Sequence, residues 1–283
     1  MDSTRDALAA MRPATRAHRQ AVGGAMGNGA RIWAQSCSAE GDAIWGVYQE
    51  SVKRHARRIA RPETEIEFHG VGTTFPGIDH LDSAEHLATV EVIRNAIQAE
   101  QQGYAAFVMI STIDAGHREV RELTDLPAVF ITECAIHLAC QLAGKFAFLT
   151  HNRKILEKME RIARGYGLGE RMVDGASLDL TYRDFRRMYE DPEPVLAAFV
   201  SEARKAIDRG AGILLPAGNP VNMFLLDHGV RTIEGVPVLD SFGAAVKTAE
   251  MLVDLARMGI TRGGSPGTME QREGLRAHYR SPR

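Results

Sequence analysis

The chain has 283 residues, about twice the usual length of a single domain, which suits one large α/β domain or two similar lobes. Its hydrophobic share of 45% and charged share of 25% are typical of a globular protein with a sizeable core. The formal net charge of -2 argues against a nucleic-acid partner, since such binders usually carry a basic excess. The sequence has no apolar run of the roughly 18 residues that a membrane helix needs, so we expect no membrane partner.

The apolar periodicity of the first half of the chain predicts strands and helices in alternation. In chain order they are strand 30–37, helix 43–59, strand 64–68, helix 83–102, strand 105–110, helix 118–123, strand 128–131, helix 134–142, strand 145–149 and helix 154–166. Ser83 is predicted to be the N-cap of the helix 83–102. The second half predicts a weak strand 171–174, helix 194–209, strand 212–215, strand 236–239 and a helix that Ser241 caps and that ends at 255. Residues 1–29 are expected to form a flexible N-terminal arm, and residues 259–283 a polar C-terminal tail.

Apolar strands that alternate with helices predict parallel sheets covered by helices on both faces. Ligands of such folds bind beyond the carboxyl ends of the strands. Four loops should therefore matter for function, and they span residues 36–42, 69–79, 111–117 and 216–219.

The three cysteines, Cys37, Cys134 and Cys140, occur without CxxC spacing. This low and odd count predicts neither a disulfide framework nor a thiolate zinc site, and it favours a reducing compartment, the cytoplasm. Cys134 and Cys140 lie in a helical pattern and are interpreted as core residues. Cys37 ends the first apolar run, where it can reach a ligand site, although a core position is the plainer interpretation.

Three segments resemble the aspartate/glutamate racemase superfamily, and most closely its hydantoin racemase group: LTDLPAVFITECAIHLA, KFAFLTHNR and GVPVLDSFGAAVKTAEMLVDL. The resemblance covers roughly residues 30–258. It implies an α/β fold of two pseudo-symmetric lobes, with parallel sheets covered by helices, an active site in the cleft between the lobes, and a homo-oligomer. The first lobe would comprise about residues 30–150 and the closing segment, and the second about residues 151–235.

Racemases of this superfamily place one cysteine after a strand in each lobe, and each thiolate can remove or return a proton next to a carbonyl group. Here the corresponding loops read ISTIDAG and LPAGN, with Ser111 and Pro216 where the cysteines are expected. Serine without a partner is a poor base, and neither Pro216 nor Ala217 has a group that transfers protons. Both catalytic cysteines are therefore expected to be absent, and the thiol chemistry to be replaced.

The catalytic residues that the sequence suggests are Glu133, His117, Asp114 and Ser111. The hydroxyls of Ser111 and Thr112 follow a buried strand and can hold a carboxylate or a developing oxyanion. Asp114 lies three residues before His117 and can orient it as a general base. Glu133 ends a strand, where partial burial in the cleft would raise its pKa. The plainer alternatives are a turn for the hydroxyls and helix capping for the two carboxylates.

Substrate-binding residues are expected in the same strand-end loops. They are Thr112, His69, Gly72, Thr73, Thr150, His151, Pro216, Ala217, Gly218 and Asn219. The residues around His69 include further histidines but no tight ligand motif, so no metal is predicted. The segment HGVGTT lacks GxGxxG spacing, so no dinucleotide cofactor is predicted.

These observations favour a cofactor-independent hydrolase or lyase on a racemase-like scaffold. A carboxylate or histidine base would activate water, while the loops at 111–112 and 217–219 hold the oxyanion. The substrate would be a small molecule with carboxylate or amide groups, such as a small carboxylate, an amide or a cyclic ureide. The alternatives are an isomerase or racemase with non-thiol bases, such as Glu133 with His117, and a catalytically silent protein that binds a small acid.

Overall fold

The computed structural model describes residues 29–41, 46–78, 81–178, 180, 187–263 and 267–280. The predicted N-terminal arm lies outside the described residues except for Gly29. The first part of the predicted helix 43–59 and the end of the loop 69–79 also lie outside them.

Four parallel strands form the first sheet, in the order β2-β1-β3-β4. They are β1 (Ala30–Ala39), β2 (Thr64–Val71), β3 (Ala106–Met109) and β4 (Ala128–Phe130). Successive side chains of a strand point to opposite faces. Ile32 and Ala34 accordingly pack in one hydrophobic cluster, while Trp33 and Cys37 pack in another on the opposite face. The sheet is therefore buried on both faces, as the apolar strand patterns predict.

The second sheet is also parallel, in the order β6-β5-β7. Its strands are β5 (Phe146–Thr150), β6 (Ala176–Ser177) and β7 (Ile213–Ala217), and a small antiparallel pair, β8 (Thr232–Ile233) and β9 (Val236–Pro237), follows it. Because β5 belongs to this second sheet, the first lobe ends before Phe146 and not near residue 150.

Helices cover both sheets. They are α1 (Gly46–Ile59), α2 (Asp82–Gln101), α3 (His117–Leu123), α4 (Ile131–Leu142), α5 (Arg153–Gly165), α6 (Pro192–Asp208), α7 (Asn219–Asp227), α8 (Ser241–Arg257) and α9 (Met269–Arg280). Helix α8 returns from the second lobe and packs on β1, β3, β4 and α4. In the described part of the chain, no helix combines the length and the apolar character that crossing a bilayer requires.

Local structure departs from the sequence prediction at three places. The prediction of a weak strand at 171–174 is wrong, since a 3-10 helix (Gly169–Arg171) is followed by a single isolated β-bridge at Met172. Ser83 is not the N-cap of α2, because that helix already begins at Asp82. Asp240 replaces Ser241 as the cap of α8, and its carboxylate accepts a hydrogen bond of 2.8 Å from the Gly243 amide. A carboxylate is favoured there because a helix N-terminus attracts negative charge.

Helices α1 and α7 join the two lobes. Met223 and Leu226 of α7 belong to the same hydrophobic cluster as Tyr48 and Val52 of α1. Asp227, at the end of α7, accepts hydrogen bonds from two side chains of α1. This contact sets how the second sheet faces the first.

The predicted polar tail is wrong for residues 269–280, which form α9 and pack on α2 and α3. Arg276 of this helix is 8% exposed. Its guanidinium donates 2.8 Å to the Leu123 carbonyl and 2.5 Å to the Glu100 carboxylate. The polar composition of this segment did not indicate that Arg276 is buried against partners distant in the sequence.

Replacing Arg276 should therefore destabilise the fold. Removing one partner of a buried ion pair leaves the other charge uncompensated, so Arg276→Met should lower the free energy of unfolding by about 3 kcal/mol. Arg280→Met is the matched control, because Arg280 is exposed and lies 3.9 Å from its partner Glu273. That variant should change the value by less than about 0.5 kcal/mol. Denaturant unfolding measures both, and equal effects would contradict a structural role for α9.

Candidate active site

A cleft of about 520 Å³, partly open to solvent, lies where strand-end loops of the two sheets meet. The first lobe contributes residues 36–38, 110–113, Tyr48 and Ile78 to its lining. The second lobe contributes His151, Ile155 and residues 218–220. The parallel strands explain this meeting, since their carboxyl ends lie at one edge of each sheet.

Five of the residues proposed from the sequence line this cleft: Ser111, Thr112, His151, Gly218 and Asn219. Ser111 and Thr112 follow β3, His151 follows β5, and the other two follow β7. Three different strand ends thus converge on one cavity. This convergence makes the cleft the candidate active site.

The remaining residues proposed for substrate binding lie elsewhere. Pro216 and Ala217 are buried inside β7, and Thr150 is buried at the end of β5. His69 stacks on Trp33 with ring centroids 3.4 Å apart, within the longer β2. Gly72 and Thr73 are exposed after that strand. Strand β2 is the edge strand of its sheet, and among the described residues of the loop that follows it, Ile78 lines the cleft while Gly72 and Thr73 do not.

Glu133 forms a bidentate ion pair with Arg121 and is not among the residues that line the cleft. Arg121 Nη1 lies 2.9 Å from Glu133 Oε1, and Nη2 lies 2.5 Å from Oε2. His117 Nε2 is 3.1 Å from the same Oε1. Burial by itself would raise the pKa of Glu133, but the hydrogen bonds from His117 and Arg121 and their charges lower it to about 2. The predicted rise in this pKa is therefore wrong, because the sequence did not reveal Arg121 as its partner.

Asp114 lies in the loop after β3, and its side chain caps α4. Its carboxylate accepts hydrogen bonds from the amides of Thr132 (3.0 Å) and Glu133 (2.9 Å), while its backbone carbonyl accepts one from the His117 amide. Burial raises the pKa of Asp114 to about 8, although the two amides act in the opposite direction. The hydroxyl of Thr132 also donates 2.6 Å to the Thr112 carbonyl. These bonds hold the loop that carries Ser111 and Thr112 against the start of α4.

Cys37, near the end of β1, is a buried residue that lines the cleft. Its backbone amide donates a hydrogen bond of 2.9 Å to Ser111 Oγ. Burial raises the pKa of the Cys37 thiol to about 11, although the Ser111 side chain and the charge of Lys158 lower it. The thiol is therefore protonated at neutral pH. The sequence indicated Cys37 as a cleft residue only by its place in the loop 36–42, at the end of the first apolar run.

His151 lies against Gly218 on the opposite lobe of the cleft. The backbone of Gly218 has φ +111, a conformation that side chains disfavour. A Cβ atom at this position would lie 3.3 Å from His151 Nδ1. Glycine thus allows the imidazole to pack directly on the loop after β7.

Tyr48 of α1 completes the wall of the cleft. Asn219 Nδ2 donates a hydrogen bond of 2.9 Å to the Tyr48 hydroxyl, and this bond joins the two lobes. No sequence pattern pointed to Tyr48, because the packing of α1 on α7 that places it beside Asn219 joins segments distant in the sequence. Among the described residues, no group of three or more His, Cys, Asp or Glu side chains is arranged to hold a metal ion.

Two parallel sheets covered by helices, with strand-end loops of both sheets around one cleft, define the class of fold. The chain belongs to the Asp/Glu/Hydantoin racemase family, which its sequence matches over residues 47–249. This match confirms the superfamily resemblance, and the parallel sheets covered by helices confirm the predicted fold class.

Relatives and solved structures agree with this family. The hydantoin racemase of Pseudomonas sp. (strain NS671) is 32% identical over 210 residues, which cover 74% of this chain and 82% of the relative. An allantoin racemase structure from Pseudomonas fluorescens has a TM-score of 0.69 and 25% identity, covering 82% of this chain and 93% of its own. The fold of the allantoin racemase from Klebsiella pneumoniae matches with a TM-score of 0.69 at 23% identity, covering 86% of this chain and 98% of its own.

The predicted hydrolase or lyase activity is wrong. The relatives are racemases, which supports the isomerase alternative. The prediction failed because the loss of two expected cysteines was equated with the loss of proton-transfer groups. The residues that line the cleft nevertheless include a cysteine and a histidine, Cys37 and His151.

The Glu133 ion pair makes stability depend on pH. The folded-state pKa of about 2 lies below the ordinary value of 4.5, so the stabilisation is complete above about pH 4.5 and is lost as the pH falls towards 2. Glu133→Gln should therefore lower the free energy of unfolding at pH 7 by roughly 3 kcal/mol, with a difference that shrinks in acid. Glu157→Gln, which removes an exposed ion pair on α5, is the control. A difference that does not vary between pH 6 and pH 3 would contradict this assignment.

Proposed function

We propose that the protein is an isomerase that racemises a small cyclic ureide, the class to which hydantoin and allantoin belong. Family membership supports the reaction type. The observation that carries the proposal is that a thiol from the first lobe and an imidazole from the second, Cys37 and His151, line one cleft. Racemisation requires groups that remove and return a proton on opposite faces of one carbon.

In the proposed reaction, the carbon that loses its proton lies next to a carbonyl group and between the two lobes. The unprotonated imidazole of His151 takes the proton, and the bonding electrons move to the carbonyl oxygen to give an enolate. The Cys37 thiol then returns a proton to the opposite face. The resulting thiolate and imidazolium convert the other enantiomer by the same steps in reverse, so no proton is gained or lost overall.

The raised pKa of Cys37 fits the role of proton donor. A thiol whose pKa is about 11 holds its proton at neutral pH and can deliver it to a carbanion. Ser111, in hydrogen-bond contact with Cys37, keeps this side chain oriented. Ser111 and Thr112 thus serve the proposed site through position and polar contact, and not as bases.

The lining suits a small, mostly apolar ring with a few polar atoms. Ile110, Ile113 and Ile155 supply apolar surface, and Asn219 supplies an amide that can contact ureide groups. An apolar wall excludes water and strengthens the electrostatic interactions of the remaining polar groups. A reducing compartment such as the cytoplasm would keep Cys37 as a thiol, and the homo-oligomer expected from the resemblance stays a prediction.

The activity is tested with enantiopure hydantoins that carry a substituent at the carbon next to the carbonyl, and with allantoin, in D2O. The expected result is loss of optical activity together with deuterium at that carbon, faster than in a protein-free control. Ring opening without deuterium uptake would contradict isomerisation. Tight binding with neither change would indicate the silent binding protein.

Substitution of either proposed proton-transfer group should abolish most of the rate. His151→Gln and Cys37→Ser keep similar size and hydrogen bonding but remove the imidazole and the thiol. Each should lower kcat by at least about 100-fold, since acid–base groups contribute about 100- to 10,000-fold. Calorimetry should show that substrate still binds.

Cys140→Ser is the matched control for the thiol. Cys140 packs in the cluster between α4 and the second sheet and does not line the cleft. Its substitution should leave kcat within about twofold. An unchanged kcat in Cys37→Ser would remove Cys37 from the proposed mechanism, and an unchanged kcat in His151→Gln would do the same for His151.

A further inference from the structure

A chain of hydrogen bonds runs from the wall of the cleft into the packed region between α1, α7 and α8. Asn219 Nδ2 donates to Tyr48 Oη at 2.9 Å, and Asn222 Nδ2 donates to Asn219 Oδ1 at 3.4 Å. The same Asn222 amide lies 3.3 Å from Asp240 Oδ1, and Asp240 Oδ2 lies 2.6 Å from His55 Nε2. His55, Asn219 and Asn222 are buried, so these contacts are protected from water.

Two fixed donors determine the direction of this chain. Arg58 Nη2 lies 2.8 Å from His55 Nδ1, and a guanidinium can only donate. His55 Nδ1 must therefore accept, which leaves Nε2–H to donate to Asp240. At the other branch, the Ser241 amide donates to Asn222 Oδ1 at 3.3 Å, so the Asn222 NH2 group must face Asp240 and Asn219.

The orientation of Asn219 follows from that of Asn222. Its carbonyl oxygen faces the Asn222 NH2 group, and its own NH2 group therefore faces the phenol of Tyr48. The phenol oxygen acts as an acceptor in this contact. Burial raises the pKa of Tyr48 above its usual range, so the phenol keeps its proton.

We propose that Tyr48 is the hydrogen-bond donor that stabilises the enolate oxygen, and that Asn222, Asp240 and His55 position it through Asn219. This proposal rests on the proposed isomerase function and names a further group in the same cleft. An N–H donated to a phenol oxygen polarises the O–H bond and strengthens its donation to another acceptor. Tyr48 thus acts as an oxyanion-binding group and not as a base.

The chemical step assigns no net proton transfer to Tyr48. The C–H bond breaks, its proton goes to a base in the cleft, and its electron pair becomes the negative charge on the carbonyl oxygen. The phenol donates a hydrogen bond to that oxygen while the charge persists. A donor already in place for the charged intermediate lowers the barrier, because it needs little reorganisation.

Tyr48 lies on α1 and Asn219 at the start of α7, so this donor is positioned by the contact between the lobes. The interface between α1 and α7 contains a second set of polar contacts. Asp227 accepts from Ser51 Oγ at 2.5 Å and from Arg54 Nη2 at 3.0 Å. These contacts join the same two helices without contacting the chain that ends at Tyr48, and they provide a matched control.

The first test measures deuterium exchange of an enantiopure substituted hydantoin in D2O by Tyr48→Phe. Loss of one oxyanion donor should lower the exchange rate about 100- to 1000-fold. Binding measured by calorimetry should change by less than about fivefold, since the charge exists only after proton removal. Asn219→Asp is the second variant, because its carboxylate would accept the phenol proton and turn the donor away from the cleft. It should lower the rate to a similar extent.

The positioning role is tested with Asp240→Asn, alone and together with Tyr48→Phe. Asparagine retains an oxygen that can cap α8 and accept from Asn222, but this oxygen is neutral, and the NH2 group that replaces Oδ2 faces the His55 N–H. The chain therefore loses its charged acceptor and its link to His55. The single variant should lower kcat by about tenfold with KM nearly unchanged. In the Tyr48→Phe background, Asp240→Asn should have almost no further effect on kcat. Asp227→Asn should leave the exchange rate unchanged.

The outcomes separate this inference from the function on which it rests. Wild-type exchange that persists at an equal rate in Tyr48→Phe overturns the role of Tyr48 and leaves the isomerase intact. Additive losses in the double variant overturn the positioning chain and indicate a general effect on stability. Absence of exchange in the wild type overturns both proposals.

Discussion

All strands of the two main sheets run parallel to their neighbours, and the cleft depends on this polarity. Each strand delivers the loop at its carboxyl end to one edge of its sheet. The packing of α1 on α7 then brings the two edges together. Cys37 and Ser111 approach from one edge, while His151 and Gly218 approach from the other. Without the contact between the helices, these side chains would belong to two separate surfaces.

In the proposed reaction, the family scaffold keeps its reaction type with different groups. The loops after β3 and β7 carry Ser111 and Pro216, where thiols are expected from the resemblance. A thiol is present in the same cavity, but it comes from β1. In the proposed reaction, Cys37 therefore replaces a thiol that another strand would supply, while Ser111 orients it. An imidazole from the second lobe provides the second proton-transfer group.

Two neighbouring carboxylates behave in opposite ways because their partners differ. Asp114 is buried and accepts hydrogen bonds from two neutral amides, which do not offset the effect of burial, so its pKa rises to about 8. Glu133 lies beside Arg121 and His117, and its pKa falls to about 2 despite partial burial. Both stabilise the junction between the loop after β3 and α4. Their proximity to the cleft along the chain made them attractive candidates, but their hydrogen bonds are committed to the fold.

The sequence by itself determined the fold class and most of its elements, because buried parallel strands such as β3 and β5 are short apolar runs. It also predicted that Ser111, Thr112, His151, Gly218 and Asn219 lie in strand-end loops, since this follows from chain polarity alone. Only the tertiary structure decided which residues of these loops meet, because the loop after the edge strand β2 brings Ile78 to the cleft but leaves Gly72 and Thr73 exposed outside it. The partners of each side chain were equally invisible in the sequence. Arg121 beside Glu133 and Tyr48 beside Asn219 are brought together by packing between helices, and no local periodicity encodes contacts of that kind.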